Sequence, residues 1–251
     1  MNAQISFEYF ENTKYMNIKD NNIIEFSKIK EQNAKNKKVP EKTTSKFTSL
    51  GKLKATAADS VKTLEEIEKI KKYFLDKKEY RNYCLFIVGI TTGYRISDIL
   101  KLKIKDFFDE NYSWKKEIDI IEQKTKKRRK MPITDNIKKA INLYLDHIIT
   151  FNHETYIFKS QKGKNSPLDK SSVRKIFNDM AIKLKLPYHC STHFLRKTFA
   201  YWFLQVHKDN MSALATLQDI LNHSSEKMTL KYCGIEKQRR EKMINTLSEL
   251  W

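Results

Sequence analysis

The chain has 251 residues, of which 40% are hydrophobic, enough for one or two domains around a sizeable core. Lys and Arg number 49 against 30 acidic residues, a formal net charge of +19. Such an excess repels itself unless polyanions are near, so nucleic acid is the first expected partner and an anionic membrane surface the second; a merely soluble surface is the bland alternative.

No signal peptide and no apolar run of roughly 18 residues is read, so no membrane-spanning or exported segment is expected. Cys84, Cys190 and Cys233 are too few and too widely spaced for a disulfide framework or a zinc pattern, which fits a reducing cytoplasm. Residues 1–56 hold eleven Lys, no Arg and six acidic residues, and 33–54 are mostly Lys, Asn, Thr and Ser. That composition reads as a basic arm or linker, with a short helix or two in 5–30. Order is expected to begin near Thr63, within a second domain over residues 57–251.

Helical periodicity begins over 63–77, with Leu64, Ile67, Ile70, Tyr73, Phe74 and Leu75. Residues 80–92 are apolar nearly all round and predict a buried helix, ended by Gly93. A further helix is expected at 96–102. The period then changes: Ile118, Ile120, Met131 and Ile133 flank a basic tip at 124–130, which predicts a β-hairpin. Asp135 reads as the N-cap of a helix to about 150, and 156–158 as a short strand. Helices are expected at 170–185, 193–207, 213–222, 226–232 and 236–250. The last carries Met243, Ile244, Leu247, Leu250 and Trp251 on one stripe and reads as a docking helix. The fold class is α+β, mainly α, with a small antiparallel sheet.

Three segments and one charge run hold residues that could do chemistry. In Gly93-Tyr94-Arg95-Ile96-Ser97-Asp98, Arg95 sits at a glycine-punctuated helix junction where it could meet a phosphate, with Asp98 as its brace; a solvated local ion pair is the alternative. In Ser191-Thr192-His193-Phe194-Leu195-Arg196, the spacing of three puts His193 and Arg196 on one helix face as a possible phosphate clamp, or as ordinary surface. In Asn222-His223-Ser224-Ser225 and Leu230-Lys231-Tyr232-Cys233-Gly234-Ile235, a histidine precedes by nine residues a tyrosine that could instead be core. The run Lys124-Thr125-Lys126-Lys127-Arg128-Arg129-Lys130 is either a solvated turn or a DNA-backbone contact.

Taken in this order over about residues 60–240, the segments resemble the catalytic domain of the tyrosine recombinase (phage integrase) family. The Tyr232-Cys233-Gly234-Ile235 ending is similar to short bacterial and phage members. The resemblance implies a catalytic set of Arg95, Lys124, His193, Arg196, His223 and Tyr232, with Asp98 supporting and Lys126, Lys127, Arg128 and Arg129 on the DNA backbone. Lys126 and Lys127 stand close enough to Lys124 to compete for its role. Asn222 replaces the glycine many members carry before the late histidine, and the first 56 residues look too short and polar for the usual core-binding domain.

The implied activity is DNA cutting and rejoining through a 3′-phosphotyrosine link, without metal, ATP or cofactor. Double-stranded DNA and further copies of the chain, from dimer to tetramer, are the implied partners. The implied setting is the cytoplasm at the nucleoid. The competing readings are a type IB topoisomerase, a catalytically silent DNA-binding protein of the same fold, and a basic helical RNA-binding protein.

Overall fold

The computed structural model describes residues 60–233 and 244–245. The basic arm at 1–56 and nearly all of the expected C-terminal helix lie outside the described residues. Among the described residues, no helix is long and apolar enough to cross a membrane.

The first helix among the described residues, α1 (Leu64–Asp76), starts where the Thr63 hydroxyl accepts the Glu66 N–H at 3.1 Å. That satisfies one of the amide donors every helix start leaves free. Its stripe buries Ile70 and Phe74. The second, α2 (Tyr80–Thr92), buries eight of its residues, as its all-round apolar sequence demands. It packs against α5 (Asp135–Leu145) on one side and α7 (Phe194–Val206) on another. Gly89 permits the second contact, since a Cβ there would lie 2.6 Å from Leu195 Cδ1. Around this spine Phe74, Phe177, Phe194 and Phe86 form a continuous chain of ring contacts with centroids 4.7–6.3 Å apart. Phe177 comes from α6 (Lys170–Lys183). Burying each such ring contributes about 1.5–3 kcal/mol.

Two short helices, α3 (Ile96–Ile99) and α4 (Ile104–Phe107), follow α2. The sequence predicted one helix through 102; the chain instead stops after one turn and restarts, with Asp106 accepting the Lys103 N–H to cap the new turn. Among the described residues the sheet is a single hairpin, β1 (Glu117–Ile121) antiparallel to β2 (Arg128–Pro132), with Ile118 opposite Met131 and Ile120 opposite Arg129. Its connection is shorter than the expected basic tip, because Arg128, Arg129 and Lys130 are already strand. Thr134, not Asp135, is the N-cap of α5, which ends at Leu145. Residues 156–158 make only isolated bridges, Lys103 with Tyr156 and Lys159 with Pro167 beyond it.

A second, smaller cluster joins the C-terminal half of α7 to α8 (Ala213–Leu221) and α9 (Glu226–Cys233). Ser225 caps α9, its hydroxyl accepting the Met228 N–H at 3.2 Å. Tyr232 packs on this cluster from the end of α9.

Candidate active site

Arg95 owes its place to the way α2 ends. Gly93 takes φ +57°, which L side chains resist, and a Cβ there would sit 2.3 Å from Phe199 Cδ1 on α7. Two residues later Arg95 is the extended N-cap of α3, with 15% of its side chain exposed. Its Nη1 donates to Glu122 Oε2 at 2.5 Å. The expected brace, Asp98, takes a different part: its Oδ1 accepts the Gln123 N–H at 3.0 Å, while Gln123 Nε2 donates to the Ser97 carbonyl. Asp98 thereby ties the hairpin connection to α3 rather than holding Arg95.

The connection folds back on itself. Lys126 adopts φ +58°, its N–H reaches the Glu122 carbonyl, and the Glu122 N–H reaches the Lys127 carbonyl. Lys124, Lys126, Lys127 and Arg128 are exposed. Lys124 makes no hydrogen bond or ion pair among the described residues, so its ammonium is available. Arg128 on β2 is bound by Asp119 across the hairpin on β1. Arg129 corrects the sequence expectation. Instead of facing DNA it is 6% exposed, with its guanidinium 4.5 Å above the Tyr94 ring and donating to the Thr92 carbonyl at 2.8 Å. Strand alternation is the cause, since Arg129 shares the inward face with Met131 and Ile118.

Arg196 lies one helical turn into α7 and is 3% exposed. Nη1 donates to the Gly93 carbonyl at 2.7 Å and Nη2 to the Leu221 carbonyl at 2.5 Å. Both acceptors are helix-end carbonyls, of α2 and α8, where free oxygens and the helix dipole favour a cation. One guanidinium therefore joins the end of the main core to the small C-terminal cluster. Burial pulls its pKa down to about 10, still leaving it charged at neutral pH.

His193 and His223 flank the tyrosine. His193 is the N-cap of α7, and its Nδ1 stands 3.5 Å from the Tyr232 hydroxyl. The Tyr232 ring meets both imidazoles edge-on, with centroids 6.5 Å from His193 and 5.1 Å from His223. His223 Nδ1 is 3.1 Å from the Thr229 hydroxyl of α9. Burial, then the charges of Arg196 and others including Lys124, hold His193 below its ordinary pKa. Burial, then Arg196 and Arg95, bring His223 down to about 4. Burial pushes the Tyr232 phenol up to about 12, against the opposing pull of Arg196 and Arg95. At neutral pH the site thus holds two neutral imidazoles, a protonated phenol and a surplus of guanidinium charge.

Of the six expected catalytic residues, Arg95, His193, Arg196, His223 and Tyr232 come together here. Lys124 stands close enough for its charge to act on His193. Sequence reasoning missed Glu122, which is fully buried among the arginines. Its signal was available in the strand parity, because Ile118, Ile120 and Glu122 share one face.

A family model described as the phage integrase family matches residues 59–239, nearly three quarters of the chain. The chain belongs to the phage integrase family of tyrosine recombinases. Among curated members, the probable integrase/recombinase YoeC of Bacillus subtilis (strain 168) is 39% identical over 176 residues, covering 70% of this chain and 89% of that protein. The tyrosine recombinase XerC of Staphylococcus epidermidis is 28% identical over 171 residues, covering 67% of this chain and 54% of XerC, so this chain spans about half the length of that relative. Two solved structures share the fold with a TM-score of 0.56: XerA recombinase, 22% identical over 76% of this chain and 64% of that one, and the XerH site-specific recombinase bound to palindromic difH substrate in a post-cleavage complex, 26% identical over 76% and 54%. The mainly helical domain with one small hairpin is the catalytic-domain fold of this family.

Proposed function

We propose that the protein is a site-specific recombinase or integrase that cuts and rejoins double-stranded DNA through a 3′-phosphotyrosine intermediate. The observation that carries the proposal is the Tyr232 hydroxyl facing His193, beside His223 and the guanidiniums of Arg95 and Arg196. YoeC, 89% of which this chain matches, supplies the family precedent for an integrase or recombinase built largely on this domain, and XerH that for a recombinase bound to its difH substrate.

Each residue has a part set by its chemistry. Arg95 and Arg196 hold the non-bridging oxygens of the scissile phosphate and offset the charge that grows there as phosphorus gains a fifth ligand. His193, neutral at working pH, accepts the phenolic proton while the Tyr232 oxygen attacks phosphorus. The contact at 3.5 Å is long for a hydrogen bond and must tighten on bound DNA. A P–O bond to Tyr232 forms, the bond to the 5′-oxygen breaks, and Lys124 gives that oxygen its proton. His223 donates from Nε2 to a phosphate oxygen in the tautomer whose Nδ1 accepts from the Thr229 hydroxyl, which turns to it from the Ser225 carbonyl 3.3 Å away. The reverse attack by a 5′-hydroxyl of another strand rejoins DNA with no external energy source. Recombination by this route needs paired sites, so the working unit is a dimer to tetramer on DNA.

The test uses a duplex selected for tight binding from a random-sequence pool, nicked so that cleavage cannot reverse. The wild-type chain should form a denaturation-resistant protein–DNA adduct, and Tyr232→Phe should bind the same duplex and form none. An undiminished adduct from the Phe variant would remove Tyr232 from its role.

A further inference from the structure

Glu122 is fully buried, yet it is the point at which the candidate site converges. Its Oε2 meets Arg95 at 2.5 Å, the Thr125 hydroxyl at 2.6 Å and Asn222 Nδ2 at 3.2 Å. Its Oε1 lies 3.4 Å from Arg129 and 4.0 Å from Arg196. These five partners come from the start of α3, the hairpin connection, the turn before His223, β2 and α7. Burial pushes the carboxyl pKa up, but the Thr125 hydroxyl, the Arg95 guanidinium and the charge of Arg129 outweigh it and leave the group ionised.

One carboxylate thus serves three guanidiniums. Arg129 and Arg196 are also held by backbone carbonyls and are nearly inaccessible. Arg95 differs: it is more exposed, and Glu122 is its hydrogen-bond partner among the described residues. Without the carboxylate, three like charges would repel, and Arg95 could relieve that by swinging outward. Asn222 adds a second link. It sits at φ +50°, where glycine is at ease and asparagine tolerated, and extends its amide to Glu122 across 100 residues of sequence.

We propose that Glu122 is the positioning residue of this site, aiming Arg95 and, through Thr125 and Asn222, holding the Lys124 connection and the His223 turn in one arrangement. The inference rests on the reading of Arg95 and Arg196 as phosphate-holding groups. Glu122 itself touches no substrate.

The experiment compares Glu122→Gln, Asn222→Gly and Arg95→Ala in the full chain. It measures single-turnover cleavage of the selected nicked duplex, carrying either a normal scissile phosphate or a neutral methylphosphonate there. Non-covalent binding is measured in a Tyr232→Phe background. Glu122→Gln should slow cleavage of the normal phosphate about 10²-fold, the scale of a misplaced reacting group, with binding nearly unchanged. The loss should shrink on the methylphosphonate, which lacks the anionic oxygen Arg95 must hold. Asn222→Gly keeps a backbone suited to its dihedrals, so it should stay folded; losing one hydrogen bond to a charged group should slow cleavage about tenfold. Its effect should be much smaller in the Glu122→Gln background, since both act through one link.

Equal losses on both substrates would mark general structural damage and overturn the proposal, as would wild-type rates for Asn222→Gly. If Glu122→Gln fails to fold, Asn222→Gly on the two substrates decides alone. Should Arg95→Ala cleave normally, the functional reading itself fails. Should Arg95→Ala be inactive while Glu122→Gln and Asn222→Gly cleave as wild type, only the positioning role fails.

Discussion

Replacing His193 by alanine should change the pH dependence of cleavage, not only its rate. The Tyr232 phenol is pushed up to about 12 by burial, so at about pH 8 only about one molecule in 10⁴ carries a phenolate unaided. An unshifted tyrosine would carry about one in 10². The base that bridges this gap is His193, 3.5 Å from the hydroxyl. Its pKa lies below the ordinary 6.5 through burial and the nearby Arg196, Lys197, Arg95 and Lys124 charges. A base works only deprotonated, and a lowered pKa moves the acid limb down. The wild-type rate should therefore fall below about pH 6.5 and be flat above it. Removing the base should cost about 10²–10⁴-fold near neutrality. The variant then depends on pre-formed phenolate, so its rate should climb about tenfold per pH unit toward pH 10. Adduct formation on the nicked duplex under single-turnover conditions, across about pH 5.5 to 10, measures both profiles. A His193→Ala profile parallel to the wild type and close to it at every pH would refute the assignment.

Other outcomes follow from the same site. Lys124→Ala should slow cleavage about 10²–10⁴-fold on normal DNA and be largely restored on a duplex with sulfur at the bridging 5′ position, whose leaving group needs no proton; restoration of Lys126→Ala or Lys127→Ala instead would move the role to that neighbour. Gly93→Ala should destabilise the fold by about 1–2 kcal/mol for its left-handed backbone and about 1–3 kcal/mol for the overlap with Phe199, read by urea denaturation; a midpoint unchanged from wild type would contradict the packing account. Cleavage should survive excess EDTA, because arginines supply the positive charge at phosphorus, and binding should weaken steeply with salt, as a chain of formal charge +19 displacing counterions must. Loss of cleavage on chelation, restored by magnesium, would contradict the arginine-based scheme.

What the sequence disclosed depended on how local each signal was. The all-round apolar 80–92 segment could only be a buried helix, and Gly93 could only end it, because one residue type satisfies both its dihedral and its contact with Phe199. The His193–Arg196 spacing and the Tyr232 ending were legible for the same reason. Arg129 was misplaced because it stands in a run of basic residues, and composition outweighed the period-2 parity that sends it inward. Glu122 was passed over because the strand parity that turns it inward does not show what it meets there, and two of its partners, Arg95 and Asn222, lie 27 residues before it and 100 after. The break between α3 and α4 was missed because helices of four residues carry no periodicity to detect. Asn222 was read as a departure from a family glycine; its left-handed backbone keeps the turn, and its amide adds the Glu122 link.

The most direct measurement is to find which side chain carries the DNA. The adduct is trimmed with nucleases to one or a few nucleotides, digested with trypsin and sequenced by mass spectrometry. The nucleotide should sit on the peptide of residues 232–237, attached at Tyr232 through a 3′-phosphate and leaving a free 5′-hydroxyl on the released strand. Attachment to any of the other eleven tyrosines, or through a 5′-phosphate, would contradict the account.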